Sequence, residues 1–576
     1  MSRTLLARLA LLVTCLGLLA LPEAGTASHR SRPASLADGV GPCTDLAARS
    51  MPEGPIFNAR GEKVGEHDHL NIDQHRFRCR LLPVFVDPLT DELAAEPDVI
   101  LGEIDIEVRE DGMSLLAIAV AFPESGALFY DVTNPARPVF LSWFRSAKCE
   151  DVVVDVDCGA YIDLSEDGTV AFLSTQSISY VSQEPPDPGV RPVQEPGVEV
   201  LDVRDPSDPL LTQMYIHNPD GGGVHTSNSW VIPAENPVDP NEEGPRAPGE
   251  YLFSVSNVDA VHITRVNRIG GFPFLTEYSE IPLDELHDMF LDNDPLTGRT
   301  YLYVAGGFAT GFYVYDVTDP ANAELLGEWD PTPECGEDWY GHTTYTVVRN
   351  GHRFVTLDAE VFGGNGEFGE QDEEDKAEGC GKVETNPETG EEEGPFVGNG
   401  NLPGPLWIVD ATDFSKLQPA NDQDGEETGE TAAQLKQNSL DALVTTWTNP
   451  ANQEGGNIEF SPHNQQVVGN KIYLSHYHGG VYVLDATLAF QGRDVRPAEL
   501  AFAVPHEAKP VRPIDESLIL DPVIPFIREF FKARPTVWDA LFHNGHFIAI
   551  DSTGGFYTYR ERPLRTERPP RPERRR

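Results

Sequence analysis

Short runs of alternating apolar and polar residues fill most of the chain, and turn residues separate them. The segment Phe460 to Thr487 shows the pattern at its clearest. Its strand-like runs are Asn464 to Val468, Lys471 to Ser475 and Val481 to Leu484, with glycine-containing turns between them. Runs of this length and spacing predict three antiparallel strands joined by hairpins.

The third strand of this segment belongs to a motif that recurs along the chain. Each copy is an apolar strand closed by Asp, and in most copies Thr or Arg and then Pro follow, which predicts a side-chain-capped turn. The copies are ALFYDVTNP (Ala127 to Pro135), VEVLDVRDP (Val198 to Pro206), FYVYDVTDP (Phe312 to Pro320), LWIVDATDF (Leu406 to Phe414) and VYVLDATLA (Val481 to Ala489). Several copies continue into a further apolar run, such as LLGEW at Leu325 to Trp329, so each unit should hold four strands.

Four-stranded units repeated at a spacing of roughly 40 residues are typical of β-propellers. The sequence therefore predicts an all-β fold, a seven-bladed β-propeller with long loop insertions. The last unit supplies only three strands, and we expect the N-terminal segment Arg80 to Asp87 (RLLPVFVD) to complete it. The predicted blades span about 103–147, 150–217, 224–279, 286–330, 341–450, 462–505 and 536–560.

The repeats resemble those of the LVIVD-repeat family of extracytoplasmic propellers, whose name describes strands such as LWIVD at Leu406 to Asp410. The resemblance spans Glu103 to Arg560 and implies the propeller fold. It implies no particular reaction, because a fold shared by a family does not fix an activity. More distantly, HTTYTVVRNGHRF from His342 is similar in type to the strand-opening histidine of selenium-binding and methanethiol-oxidising propellers. Their cysteine-containing segments are not recognisable here, so their sulfur chemistry is not implied.

The first residues have the pattern of an export signal. Arg3 and Arg8 precede an apolar run from Leu9 to Leu21, and small residues follow up to Ala27. This pattern predicts a Sec-type signal peptide at residues 1–27 and a secreted, periplasmic or cell-surface location. No other stretch reaches the ~20 apolar residues that a membrane span needs, so we expect no transmembrane anchor.

Composition divides the rest of the chain. We expect an extended N-terminal leader at 28–75, the propeller at 76–560 with an acidic Gly/Glu insertion at 362–405, and a disordered Arg/Pro-rich tail at 561–576.

Outside the predicted signal peptide the chain holds six cysteines, an even number in a protein predicted to meet an oxidising compartment. We expect disulfides that join sequence neighbours: Cys43 with Cys79, Cys149 with Cys158, and Cys335 with Cys380. Other pairings, and metal ligation by the thiols, stay open.

The charge of the chain restricts its partners. With 93 acidic and 42 basic residues, the formal net charge is -51. Such a protein should be repelled by nucleic acid and by anionic membrane surfaces. We therefore expect a small-molecule ligand or a protein partner outside the cytoplasm, and no nucleic acid.

Histidines recur where four consecutive units begin their innermost strand: GVHTSNSWV (His225), ELHDMFLD (His287), YGHTTYTVV (His342) and SPHNQQVV (His463). Innermost strands line the channel of a propeller, so these four rings should converge at one opening. The turn after the second strand of each blade lies on the same face. It should add the following side chains to that opening: His476, His478, Asp358 and Glu360.

Several nitrogen donors beside two carboxylates suit zinc, copper or iron better than calcium or magnesium. Asp288, Thr343 and Asn464 directly follow three of the histidines and would orient the rings. Two alternatives stay open. The histidines could cap their turns by hydrogen bonds to the backbone, or they could line a metal-free pocket for an anion or an organic ligand.

The sequence thus favours a secreted binding or interaction module with a histidine-rich ligand or metal site at one mouth of the channel. The alternative is a metal-dependent oxidase or a lactonase-like hydrolase that uses the same residues. In a hydrolase, a metal-bound water would be activated by Asp358 or Glu360 as general base.

Overall fold

A computed structural model of the chain describes the following residues: 55–57, 63–66, 79–82, 100–122, 126–146, 161–176, 197–216, 223–233, 248–255, 260–283, 286–307, 310–331, 340–360, 384–385, 392–393, 404–417, 440–448, 461–477, 479–503, 536–552 and 555–560. Within this part, no helix is long and apolar enough to cross a membrane.

Strands make up nearly all of the described structure. The first group is β1 Pro55–Phe57, β2 Lys63–Glu66, β3 Cys79–Leu82, β4 Ile100–Val108, β5 Ser114–Phe122, β6 Gly126–Asp131, β7 Val139–Arg145, β8 Tyr161–Leu164, β9 Val170–Thr175, β10 Gly197–Asp202 and β11 Leu210–Ile216. The second group is β12 Thr226–Ile232, β13 Gly249–Val255, β14 Ala260–Ile269, β15 Phe272–Pro282, β16 Met289–Asn293, β17 Thr300–Ala305, β18 Phe312–Asp316 and β19 Glu324–Trp329. The third group is β20 Tyr340–Arg349, β21 His352–Glu360, β22 Glu384–Thr385, β23 Glu392–Glu393, β24 Pro405–Asp410, β25 Leu443–Thr448, β26 Gln465–Val468, β27 Lys471–Ser475, β28 Val481–Asp485, β29 Ala498–Ala503, β30 Val537–His543, β31 His546–Asp551 and β32 Gly555–Arg560. Two short 3-10 helices lie at Phe414–Lys416 and Ala489–Gln491.

Seven four-stranded antiparallel sheets form the blades, which confirms the predicted seven-bladed propeller. Five sheets are simple meanders of consecutive strands, and in the fifth blade the short pair β22 and β23 is inserted in the chain between β21 and β24. The seventh sheet has the order β3-β32-β31-β30, so an N-terminal strand closes the ring as predicted. That strand is Cys79–Leu82, which begins one residue earlier and ends sooner than the predicted segment.

Blades pack face to face, and this explains why the middle strands are mainly apolar. All six residues of β17 are buried, while the edge strand β19 begins with two exposed residues. The sixth blade lies in a cluster with the fifth and seventh blades that includes Phe354, Tyr473 and Phe547. Both faces of a middle strand are therefore removed from water, so alternation gives way to continuous apolar runs.

The recurring Asp closes its turn as the sequence predicts. The backbone N–H of Thr133 donates to Asp131 Oδ1 at 2.9 Å, and the N–H of Thr487 donates to Asp485 Oδ1 at the same distance. These contacts let the strand end without leaving its polar groups unpaired.

Some predicted features lie outside the described residues. These are the signal peptide at 1–27, the tail at 561–576 and the side chains of the six predicted disulfide cysteines. For Cys79 the structure describes the backbone, which pairs with Tyr559.

A buried ion pair links the fourth and fifth blades. Arg353 Nη2 lies 2.7 Å from Asp294 Oδ2, and both side chains are at most 3% exposed. Arg353 Nη1 donates to the carbonyl oxygen of Ala411 at 2.9 Å, and the guanidinium lies 4.2 Å from the centre of the Phe414 ring. The arginine is therefore paired by charge, by hydrogen bonds and by an aromatic face.

We predict that Arg353→Ala lowers the free energy of unfolding by about 3–5 kcal/mol, because Asp294 would become an unpaired buried charge. Urea denaturation measures this loss. Lys416→Ala is the matched control, since Lys416 lies 4.0 Å from Asp413 in an exposed pair and should change stability by less than about 1 kcal/mol. Equal effects of the two substitutions would contradict the role given to the buried pair.

Candidate metal centre at the mouth of the channel

Four histidine rings from four consecutive blades lie side by side. The centroids of His225 and His287 are 4.3 Å apart, those of His287 and His342 are 4.2 Å apart, and those of His342 and His463 are 4.2 Å apart. Tyr161 continues this row from the second blade, 4.3 Å from His225. We call the four imidazoles the histidine arc. All four are buried, with 1% to 6% of their surface exposed.

The backbone explains why these rings share one level. The N–H groups of His225, His287 and His463 donate to the carbonyl oxygens that end the second strand of their own blades: Val255 at 2.8 Å, Ala305 at 2.9 Å and Ser475 at 3.1 Å. These three histidines thus sit at the same register in their blades, while His342 lies at the register irregularity between Gly341 and Thr344 in β20. Because the blades are arranged radially, equal register brings the side chains to one end of the channel.

Three of the rings are held through Nδ1. His225 Nδ1 lies 2.6 Å from Gln176 Oε1, and His463 Nδ1 lies 2.7 Å from the backbone oxygen of Trp538. His342 Nδ1 lies 2.7 Å from Thr343 Oγ1, whose proton can go to Asp288 Oδ2 at 3.0 Å. Acceptors at Nδ1 place the proton there and leave the Nε2 lone pair for another partner.

Glu360 meets the arc at the end of β21. Its Oε2 lies 3.5 Å from His342 Nε2, and its Oε1 lies 3.9 Å from His463 Nε2. One donor atom each from His287, His342 and Glu360 lies within 4.8 Å of the other two. Among the described residues, these three form the group whose spacing fits a metal ion.

Burial dominates the electrostatics of the arc. Loss of water lowers the pKa of His342 to about 3, and it holds the pKa values of His225, His287 and His463 well below the usual range. Neighbouring imidazoles lower the pKa of His225 and His463 further. The rings are therefore neutral at physiological pH, which is the form that binds metals.

The structure also places the residues predicted to support the arc. Asp358 Oδ1 accepts the backbone N–H of Thr343 at 2.8 Å and lies 3.7 Å from His342 Nδ1. Thr343 Oγ1 is 3.1 Å from Asn464 Oδ1, in addition to its contacts with His342 and Asp288. Thr343 contacts His342 directly, while Asp288 and Asn464 act on that ring through Thr343.

His476 does not join the arc. Its ring lies against Trp447 at 5.9 Å and Tyr482 at 5.4 Å, in the packing between the fifth and sixth blades. Burial there lowers its pKa to about 3. His478 lies outside the described residues.

Sequence reasoning missed Tyr161, Gln176, Glu103 and Tyr477. Tyr161 is the first residue of β8 in the second blade and its ring contacts His225, but the weak pattern before it gave no signal. Tyr477 lies in the turn after β27 and has a φ of 32°, a backbone conformation that its residue type does not predict. The residue between the two histidines reaches the arc: Tyr477 lies 4.9 Å from His463, ring to ring.

A layer of carboxylates lies beside the arc in the channel. Asn464 Nδ2 donates to Glu103 Oε1 at 2.8 Å, and burial raises the pKa of Glu103, with Asp288 and Asp539 adding to the effect. Burial raises the pKa of Asp105, Asp288 and Asp539 to about 6 each. Two of these groups also join blades, because Asp539 accepts the N–H of Ile104 at 3.1 Å and Asp105 accepts that of Leu164 at 2.8 Å.

No protein-family model matches the chain, and no curated protein matches it. Solved structures that it is similar to include Sqt1 of Saccharomyces cerevisiae, with 9% identity, a TM-score of 0.38, and coverage of 81% of this chain and 97% of that one. A putative 6-phosphogluconolactonase from Bacteroides uniformis shares 9% identity at a TM-score of 0.36, with 75% and 91% covered. BamB from Moraxella catarrhalis shares 8% identity at a TM-score of 0.32, with 80% and 83% covered.

These scores are too low to carry an argument about activity. The class of the protein rests on its own sheets and side chains: it is a seven-bladed β-propeller with a buried group of histidine and glutamate that can hold a metal ion.

The raised pKa of Asp105 gives a testable pH dependence. Between about pH 4 and pH 6 the folded protein keeps a proton on Asp105 that the unfolded chain has lost, so this group lowers stability as the pH rises. Asp105→Asn removes the group. The stability of this variant minus that of the wild type should therefore increase from pH 4 to pH 6, by up to about 1.4 kcal/mol per pH unit. Urea denaturation across this range measures the difference, and a difference that stays constant would contradict the assignment.

Proposed function

We propose that this protein is an exported LVIVD-type propeller that serves as a binding module, and that a transition-metal ion lies at the mouth of its channel. His287, His342 and Glu360 would hold the ion, with His225 and His463 beside them. Zinc, copper and iron are the ions that this set of nitrogen and oxygen donors suits.

One observation carries the proposal. His225 Nε2, His287 Nδ1 and His342 Nε2 are buried and have no hydrogen-bond partner in the described structure. A buried polar atom without a partner costs about 1–3 kcal/mol. A metal ion at this point would satisfy several such atoms together, and hydrogen bonds already fix the opposite nitrogens of His225 and His342.

The two other interpretations of the histidines fit less well. The ring nitrogens of His225 and His463 contact Gln176 and Trp538 of neighbouring blades, rather than capping their own turns. An organic ligand would need open space, yet the rings lie 4.2–4.3 Å apart and are at most 6% exposed. A small ion is the ligand that such a space suits.

The predicted export signal and the net charge of the chain limit the partners that this module would meet. The signal peptide predicted at 1–27 would carry the protein out of the cytoplasm, where the predicted disulfides can form. A net charge of -51 disfavours nucleic acid. The propeller would therefore meet a small molecule or a protein partner in the periplasm, at the cell surface or outside the cell.

A second candidate function is a metal-dependent oxidase or hydrolase, and the number of donors favours it. Three protein donors leave coordination positions open, as in catalytic zinc sites. In this arrangement Glu360 is placed as a ligand. Asp358, whose Oδ2 has no hydrogen-bond partner in the described structure, is then the carboxylate left to act as general base.

Elemental analysis of the purified full chain tests the metal centre. We predict about one equivalent of zinc, copper or iron in the wild type, retained after dialysis, and a loss of at least tenfold in metal affinity for His287→Ala combined with His463→Ala. His352→Ala is the matched control, because His352 is exposed and contacts Asp410 away from the arc. It should keep the wild-type metal content.

The outcome that overturns the proposal is a wild-type protein that stays free of metal after incubation with each ion in turn. Equal metal content in the wild type and the double variant, with circular dichroism showing both folded, would also overturn the assignment of these ligands.

A further inference from the structure

Tyr477 adopts a backbone conformation that tyrosine rarely takes. Among the described residues, three that are not glycine have positive φ: Asn350, Tyr477 and Asn544. The two asparagines precede glycine in hairpin turns, where this conformation is ordinary. For a bulky side chain it is strained, and such strain collects at functional sites.

Neighbouring segments fix this conformation. The turn is closed by His476 N–H donating to the Gly480 carbonyl at 2.8 Å and by Gly480 N–H donating to the Tyr477 carbonyl at 3.1 Å. The N–H of Val537, in the seventh blade, donates to the same Tyr477 carbonyl at 3.1 Å. The backbone of Tyr477 is therefore held by hydrogen bonds from two blades.

The side chain of Tyr477 lies against the histidine arc. Tyr477 is fully buried, and its ring lies 4.9 Å from His463 and 5.6 Å from Trp538. Its hydroxyl donates to Glu360 Oε1. This carboxylate is the one whose other oxygen lies 3.5 Å from His342 Nε2. The phenol oxygen thus contacts a ligand of the proposed ion.

We infer that Tyr477 is itself a metal ligand, as a phenolate, and that the site therefore selects an oxidised ion, ferric iron or cupric copper. The inference rests on the proposed metal centre. Among the proposed ligands, the neutral imidazoles and the carboxylate of Glu360 cancel a single positive charge of the ion, and the remainder falls to groups that do not bind it directly. A phenolate cancels one more charge and supplies the oxygen donor that such ions accept.

The binding step balances without a change of oxidation state. The O–H bond of Tyr477 breaks, a bond forms between its oxygen and the ion, and the proton passes to the solvent. Proton release of this kind accompanies metal binding by protein ligands generally. Zinc, which has no partly filled d shell, would bind to the same imidazoles without the optical signature of a phenolate bond.

Visible absorption and resonance Raman spectra of the full chain test the assignment after loading with ferric iron, cupric copper or zinc. The wild type with iron or copper should show a phenolate-to-metal charge-transfer band, with tyrosine vibrations enhanced on excitation in that band. Tyr477→Phe should lose the band while it still binds zinc in the wild-type ratio. Tyr161→Phe is the matched control: it removes a phenol 4.3 Å from His225, ring to ring, at the other end of the arc, and should keep the band.

The results separate this inference from the metal centre itself. Iron or copper bound in the wild type without the band, or a band that survives in Tyr477→Phe, would overturn the role of Tyr477 and leave the metal centre standing. A wild type that takes up none of the three ions would overturn both. If Tyr477→Phe fails to fold, deuterated tyrosine incorporated in the wild type must shift the enhanced vibrations, and unshifted vibrations would refute the assignment.

Discussion

Radial packing of seven sheets is the constraint on which the rest of the structure depends. In three blades the innermost strand begins at the same level, because the N–H of His225, His287 or His463 pairs with the end of the second strand. Once the ring closes through β3, the side chains at this level have little space around the axis. The centroids of histidine rings that are far apart in the sequence therefore lie 4.2–4.3 Å from one another.

This close packing removes water from the titratable side chains of the channel and so shifts their pKa values. Burial keeps the imidazoles neutral, and it raises the pKa of the adjacent carboxylates Asp105, Asp288 and Asp539 to about 6. Hydrogen bonds from Thr343 and Asn464 tie the two layers together. A cation near the arc would meet neutral nitrogen donors on one side and ionisable oxygens on the other, which explains how a buried site can accept a multiply charged ion.

Much of this arrangement could be predicted from the sequence, because repeats and register are local properties. The recurring Asp-closed strand predicted the blades, and a histidine at the start of four innermost strands predicted the arc. For the turn after β27 the sequence predicted that His476 would reach the arc, whereas the backbone bends at Tyr477, whose φ is 32°, and the tyrosine ring lies beside His463 instead. Tyr161 and Gln176 were missed because the second blade begins with a weak pattern, and their positions depend on how that blade packs against the third.

The metal site can be seen in a crystal structure of the protein grown with iron, copper or zinc, with anomalous data collected at the absorption edge of the ion. We expect one anomalous peak at the channel mouth, about 2.0–2.2 Å from nitrogens of His287 and His342 and from an oxygen of Glu360. If crystals grown with an excess of each ion show the four rings in place and no anomalous peak between them, the proposed metal site is wrong.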